Sequence, residues 1–144
     1  MKEFRGEMNS FWENPYVQSA GHFSVVVLCI IVFLVLFELV TKYKNWEEIK
    51  NGNISVAMAT GGKIFGMANI FRHSVLHHDS LLTMIGWGFF GFTMLILGYF
   101  IFEFLTPKFK IDTEIENNNK AVGFISMVIS IGLSYVIGAS ISIA

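Results

Sequence analysis

The sequence predicts an all-α integral membrane protein whose four transmembrane helices form two parallel helical-hairpin repeats. Its 144 residues are 53% hydrophobic and only 15% charged, against roughly 45–50% and 25% in soluble domains. The apolar residues fall into four stretches of about 20 residues, the length that crosses a bilayer. The regions leading into the second and fourth stretches also resemble each other. This composition argues against a soluble enzyme, a disordered chain and a nucleic-acid-binding protein.

The N-terminal segment, residues 1–19, is predicted to be polar and interfacial. It carries Glu3, Glu7 and Glu13 and lacks the apolar core of a cleavable signal peptide. We therefore expect the first transmembrane span itself to direct insertion.

The four spans differ in character. The first is the most hydrophobic, and the second is diluted by glycine, serine and threonine. Thr106-Pro107 ends the third, because proline cannot continue a helical hydrogen-bond ladder, and Asn119 is a good N-cap for the fourth. The expected arrangement is a first hairpin repeat over 20–71 (spans 20–40 and 54–71), an outer His-rich turn over 72–80, and a second hairpin repeat over 81–144 (spans 81–105 and 121–143).

The lysines of the loops predict the orientation. Six cations lie in the loops after the first and third spans, and three lie on the opposite side. By the positive-inside rule, the lysine-rich loops are cytoplasmic, and both termini and the His-rich turn face outward. The six are Lys42, Lys44, Lys50, Lys108, Lys110 and Lys120.

An internal duplication explains the similarity between the two halves. Nine identities fall within about thirty aligned positions, where unrelated sequences would share roughly two. Two such hairpins have the same orientation, so their pseudo-axis runs along the membrane normal and suggests further assembly in the membrane plane. The alternative is that membrane composition alone makes the spans alike. The identical pairs are Phe37/Phe102, Glu38/Glu103, Thr41/Thr106, Glu48/Glu114, Ile49/Ile115, Asn51/Asn117, Asn53/Asn119, Val56/Val122 and Gly66/Gly132.

The start of the second span resembles a known signature. Gly52-Asn53, Ala57, the Gly61-Gly62 pair and Gly66 are similar to the pattern of the YjfL-like inner-membrane proteins, domain-of-unknown-function family 350 (UPF0719-like). The segment 119–142 is similar to the second copy in that family. The resemblance covers the chain from Phe23 onward, and it implies a four-span protein of the bacterial inner membrane without an assigned activity.

Small residues recur at helical spacing on the second and fourth spans. In lipid, small side chains let helix backbones approach closely and let hydroxyl groups bond across the contact. We expect plain helix packing here, and the alternative is that some of these residues line a polar path. The predicted packing residues are Ser55, Ala59, Gly62, Gly66, Ser126, Ser130, Ser134 and Gly138.

Three charged residues lie within the predicted spans. Lys63 is near the middle of the second span, where a charge costs about 2.5–3.5 kcal/mol. Two explanations are open: the side chain faces a bundle interior or hydrated cavity, or its long stem carries the amine toward the interface or the amine is neutral. Glu38 and Glu103 occupy equivalent repeat positions near the loops, as solvated interfacial groups or as a ring at a pore mouth.

The histidines offer three interpretations. His73 and His77 lie four residues apart, a spacing that can chelate a transition metal. They are alternatively interfacial histidines or pH sensors. We predict no metal site. The single cysteine, Cys29, lies within an apolar run and is expected to pack as a small apolar residue.

The sequence therefore predicts a non-enzymatic inner-membrane protein without a cofactor. It would act as a homo-oligomer, or as a membrane anchor or scaffold for a larger assembly, and envelope maintenance is a role that fits such an anchor. Its expected partners are membrane lipid, further copies of itself and a cytoplasmic or membrane protein, with no nucleic acid. The alternative is a small oligomeric ion channel or pathway lined by Lys63, Glu38 and Glu103.

Overall fold

The structure, a computed structural model, describes residues 1–77 and 80–144, apart from the side chains of residues 2–4. Four of the helices are long and apolar enough to cross a membrane, which confirms the all-α, four-span prediction. The helices are α1 (Lys2–Glu13), α2 (Pro15–Val40), α3 (Asn45–Lys50), α4 (Ile54–His77), α5 (Leu81–Leu105), α6 (Ile111–Glu116) and α7 (Lys120–Ser142). We call the end of the bundle that carries α3 and α6 the loop end, and the opposite end the turn end.

Two of the spanning helices are longer than the sequence predicted. Helix α2 begins five residues before position 20 because Asn14 caps it, accepting a hydrogen bond from the Tyr16 N–H at 2.9 Å, with Pro15 at the first helical position. Helix α4 continues through His77, so residues 72–77 of the predicted turn are helical. Residues 78 and 79 of that turn lie outside the described residues.

Helix α4 is the central helix of the bundle. It packs against α7 along its length and also contacts α2 and α5. In its most hydropathic window of 18 residues, 61% are buried, compared with 17% in α2 and 28% in α5 and α7. The span with the most polar and small residues is therefore the most buried of the four, while the other three turn broad apolar faces outward.

Helices α4 and α7 touch backbone to backbone. A methyl group added at Gly62 would lie 2.6 Å from the Met127 Cα, and one added at Gly123 would lie 2.7 Å from the Ser55 Cα. Real side chains do not come this close, so glycine is required at both points.

Apolar side chains fill two regions of the interior. Toward the turn end, Phe33 stacks on Phe92 with ring centroids 4.3 Å apart and on Phe71 at 5.9 Å. Further apolar residues of α2, α4, α5 and α7 complete this cluster. A smaller cluster at the loop end contains Tyr43, Val56, Ala59, Ile111 and Ile115.

The two connections at the loop end have matching hydrogen bonds. The Asn53 side-chain amide donates to Glu48 at 3.0 Å, and that of Asn119 donates to Glu114 at 2.7 Å. The backbone N–H groups of the same asparagines donate to the carbonyls of the same glutamates, both at 2.9 Å. Each connection also has one residue with positive φ, Gly52 at 83° and Asn118 at 59°.

Gly62→Ala should weaken the α4–α7 contact, because the added methyl group meets the backbone of Met127. We expect the free energy of unfolding to fall by about 1–3 kcal/mol, the range for overpacking. Unfolding in mixed detergent and dodecyl sulfate, followed by tryptophan fluorescence, measures this. Gly86→Ala is the matched control, since nothing lies within 4 Å of its added methyl group. Equal stability of the two variants would contradict the close contact.

Candidate functional site

Lys63 lies inside the bundle, toward the loop end. Its side chain is only 1% exposed, and its ammonium group donates to the Tyr43 hydroxyl at 3.1 Å. Three aromatic rings surround the Nζ atom, with centroids at 5.1 Å (Phe37), 5.1 Å (Tyr43) and 5.7 Å (Tyr99). These rings come from α2, the α2–α3 linker and α5, so the lysine is enclosed by cation–π contacts from several segments.

Asp112 is the carboxylate that acts most strongly on Lys63, ahead of Glu38. It is 6% exposed and accepts hydrogen bonds from the Tyr99 hydroxyl and, at 3.1 Å, from the Lys42 backbone N–H. Among the described residues, no carboxylate oxygen lies within 4.0 Å of the Lys63 ammonium. The two charges therefore face each other across the tyrosines rather than in direct contact.

Tyr43 connects the lysine to this acidic region. Burial raises the pKa of its hydroxyl, and the nearby carboxylates of Asp112 and Glu103 raise it further. The hydroxyl therefore stays protonated. It accepts from Lys63 while remaining a neutral group between the buried charges.

Two glutamates, Glu38 and Glu103, lie close to the starts of the two short helices. Glu38 Oε1 accepts from the Asn45 N–H at 3.1 Å, at the first residue of α3. The carboxylate of Glu103 interacts favourably with the backbone N–H of Ile111, the first residue of α6. A carboxylate is favourable at a helix start, where backbone N–H groups are free. Glu103 Oε2 is buried and has no hydrogen-bond partner among the described residues.

Further hydrogen bonds join the first hairpin to the second at the loop end. The Ser55 N–H donates to Asn118 Oδ1 at 3.1 Å, and the Ser55 hydroxyl donates to the Asn119 carbonyl at 2.7 Å. The Asn53 amide donates to the Glu116 carbonyl at 2.8 Å. Thr60 donates to the Asn45 side chain at 3.1 Å, which attaches α3 to α4.

The eight small residues singled out in the sequence lie in the interior. Those on α4 and those on α7 face each other: a methyl group added at Gly66 would lie 3.1 Å from the Ser130 carbonyl oxygen. Asn69 donates to Ser134 across the same contact at 3.1 Å. All eight are buried: Ser55, Ala59, Gly62, Gly66, Ser126, Ser130, Ser134 and Gly138.

The histidines lie at the turn end, away from Lys63. His73 Nδ1 is 2.8 Å from the Ser142 hydroxyl, and its ring lies against the backbone of Gly138. His77 Nδ1 is 2.9 Å from the His73 carbonyl, and the two rings are nearly parallel with centroids 6.1 Å apart. Among the described residues, no group of three or more histidine, cysteine or acidic side chains could hold a metal ion. Cys29 is half-buried and reduced.

Sequence reasoning missed Tyr43, Tyr99 and Asp112. Lys63 and the two glutamates stand out because they are charges inside apolar spans. Asp112 lies in a charged loop and resembles a solvated residue, although the spacing of Ile111 and Ile115 is a signal that one face of α6 is buried. The tyrosines lie among many other aromatic residues.

A family model described as Domain of Unknown Function (DUF350) matches residues 11–141. The chain belongs to the DUF350 family. The match begins twelve residues before Phe23, where the sequence resemblance was placed, so the family pattern includes the start of α2. This confirms the family predicted from the signature near Gly52.

Two relatives agree with this membership. The UPF0719 transmembrane protein YshE of Bacillus subtilis (strain 168) is 66% identical over 134 residues, which cover 93% of this chain and 100% of YshE. The UPF0719 inner membrane protein YjfL of Escherichia coli (strain K12) is 23% identical over 104 residues, 72% of this chain and 77% of YjfL. No solved structure matches the chain. This DUF350 member is therefore a multi-pass membrane protein.

Asp112→Asn should destabilise the loop end. Tyr99 and the Lys42 backbone lose an ionised acceptor, and Lys63 loses its main opposing charge. We expect the free energy of unfolding to fall by about 1.5–3 kcal/mol, the range for hydrogen bonds to charged groups. Glu116→Gln, at an exposed side chain, is the control.

The double variant Lys63→Met/Asp112→Asn tests whether the two charges act together. We expect it to lose less stability than the sum of the two single variants, because neither charge then remains buried without the other. Unfolding of all four proteins in dodecyl sulfate mixtures gives the coupling energy. Strict additivity would contradict the coupling.

Proposed function

We propose that this DUF350 protein is a non-catalytic protein of the bacterial inner membrane that works as a homo-oligomer and anchors a larger assembly. The observation that carries this proposal is how the charged side chains of the interior are used. Lys63 donates to Tyr43 in the linker after α2, Glu38 accepts from the start of α3, and Asp112 on α6 accepts from Tyr99 of α5. These bonds attach the linker and the short helices to the bundle. This arrangement supports a structural role, in which the membrane bundle fixes the positions of α3, α6 and their linkers at the loop end.

The exposed residues of the loop end are suited to binding anionic lipid or a protein partner. All six loop lysines are exposed, and each Lys near an anionic membrane surface contributes about 1 kcal/mol of attraction. Trp46 is also exposed there, and tryptophan favours the membrane–water interface. We place this end in the cytoplasm, with both termini outside, and regard envelope maintenance as a role that suits such an anchor.

We also propose that the two hairpins, α2 to α4 and α5 to α7, are structural repeats. The support is the paired geometry of their connections. The glutamate and asparagine of each pair lie five residues apart, and each connection has a positive φ one residue before the asparagine. The first N–H of each short helix also interacts with a glutamate from the preceding span. Two connections of unrelated origin would not be expected to share all three features.

The alternative function, an ion pathway along Lys63 and the two glutamates, has less support. The lysine is enclosed by three rings, and the stacked phenylalanines Phe33, Phe71 and Phe92 lie between it and the turn end. Ion passage through one copy would require these rings to separate. A pore between copies would not contain Lys63, because this side chain faces the interior of its own bundle.

Counting copies in lipid tests the proposed oligomer. We expect fluorescently tagged protein, reconstituted at low density into liposomes, to photobleach in several steps per spot. A tagged monomeric membrane protein is the control for chance overlap. Single-step bleaching at every density tested would refute the homo-oligomer.

Ion flux from the same liposomes distinguishes the ion pathway from the proposed anchor. We expect proteoliposomes of the parent protein and of Lys63→Met to release K⁺ and protons no faster than protein-free liposomes. Flux through the parent protein that is lost in Lys63→Met would favour the ion pathway.

Labelling of single cysteines in intact cells tests the orientation, with Cys29→Ser as background. A membrane-impermeant maleimide should label Ser10→Cys in α1, and it should label Lys108→Cys only after the membrane is opened. Both positions are exposed, so a lack of labelling reports the side of the membrane and not burial of the cysteine. The reverse pattern would show that the lysine-rich loops face outward.

A further inference from the structure

An apolar groove lies beside α7 at the loop end. It encloses about 330 Å³ between the end of α5, the linker after it and the first turns of α7. The residues that line it are Phe102, Thr106, Phe109, Asn119, Ala121, Val122 and Ile125.

The first hairpin has the same groove, but there it is filled. Six lining residues have counterparts 65 or 66 positions earlier in the chain, by the alignment of the two hairpins. All six counterparts are buried, whereas Ala121 and Ile125 of the second hairpin are exposed. The buried counterparts are Phe37, Thr41, Asn53, Ser55, Val56 and Ala59.

The second hairpin fills the groove of the first. Ile111 and Ile115 of α6 pack against Val56 and Ala59, and the backbone of Gly123 lies on Ser55. One hairpin thus presents a groove, and the other inserts the start of its second span.

This internal contact is not reciprocal. If the hairpins were related by a two-fold axis, the contact of Ser55 with Gly123 would be matched by a contact of Ala121 with Ala57. Both alanines are instead exposed. The hairpins are therefore packed head to tail, and such heterologous packing leaves one unmatched face at each end.

The two unmatched faces have complementary side chains in the register of the internal contact. Suppose that the same contact forms between the second hairpin of one copy and the first hairpin of another. Ala121 of the first copy would then lie against Ala57 of the other, Val128 against Gly61, and Gly132 against Ile64. Every pair contains at least one small residue, as do the internal pairs Gly62–Met127 and Gly66–Ser130. Nothing lies within 4 Å of a methyl group added at Gly61 or Gly132. Because Ala121 has no hydroxyl group and Gly52 has no side chain, the new contact would lack the side-chain hydrogen bonds that Ser55 makes with Asn118 and Asn119 in the internal one.

We infer that the groove beside α7 receives the exposed face of α4 from a second copy of this chain, so that the head-to-tail packing of hairpins continues from one molecule to the next. The inference rests on the proposed repeats and deepens the proposed homo-oligomer. Close approach of small residues is the interaction that associates helices in lipid. A heterologous contact of this kind closes into a ring when its rotation allows.

Disulfide cross-linking between two differently tagged copies tests the contact. Both carry Cys29→Ser, one carries Ala57→Cys and the other Ala121→Cys, and they are expressed together and oxidised in membranes. We expect a mixed dimer at several-fold higher yield than with Ala57→Cys and Phe104→Cys, whose second position is 83% exposed at the loop end of α5. Each tagged variant expressed alone should give little dimer, because position 57 does not meet position 57 in a head-to-tail contact.

Three results would overturn the inference: a mixed yield equal to the control, a dominant 57–57 dimer, or a dominant 121–121 dimer. Copy counting separates this failure from failure of the proposed function. Several bleaching steps without the 57–121 cross-link would support the homo-oligomer but contradict this interface. Single bleaching steps would contradict both proposals.

A blocking variant gives a second, independent measurement. Gly61→Leu should reduce the number of bleaching steps, because the new side chain would meet Val128 of the next copy. Gly86→Leu, also at a helical glycine with nothing within 4 Å, should leave the number unchanged. An unchanged count in Gly61→Leu, with the protein folded, would contradict the proposed interface.

Discussion

The close approach of α4 and α7 is the constraint on which the rest of the molecule depends. In lipid, apolar faces gain little by leaving acyl chains for other apolar faces, so helices associate through van der Waals contact and hydrogen bonds. Gly62 and Gly123 bring two backbones into direct contact. Asn69 and Ser134 then bond across the same face. Once α4 is enclosed in this way, its polar residues face protein instead of hydrocarbon.

The buried charges at the loop end follow from that enclosure. A lysine in the middle of an isolated span would be expensive, but Lys63 reaches back along its helix toward the loops, the direction in which helical side chains lean. There it meets tyrosines and the field of Asp112. The same carboxylate binds the linker after α2 and the end of α5. The charge that threatens insertion thus helps to connect the short helices to the membrane bundle.

Much of the fold could be predicted from the sequence, because span length and apolar content are local properties. The four spans, the small-residue faces and the exceptional position of Lys63 are all visible in the printed residues. Helix ends were less predictable: α2 starts at Pro15 and α4 ends at His77 because caps and contacts extend them. Asp112 and Tyr99 could not be predicted as partners of the lysine site, since a loop aspartate and one tyrosine among many aromatic residues carry no local mark.

The sequence by itself determined that this chain inserts into a membrane and that it belongs with the DUF350 proteins. It also determined that the second and fourth spans pack against other helices. The tertiary structure decided which faces those neighbours occupy. The internal similarity is compatible with either reciprocal or head-to-tail packing of hairpins, because both use the same residues in the same order. Only the folded chain, with Ser55 against Gly123 and with Ala57 and Ala121 exposed, distinguishes them, because contact between distant segments is set by three-dimensional packing.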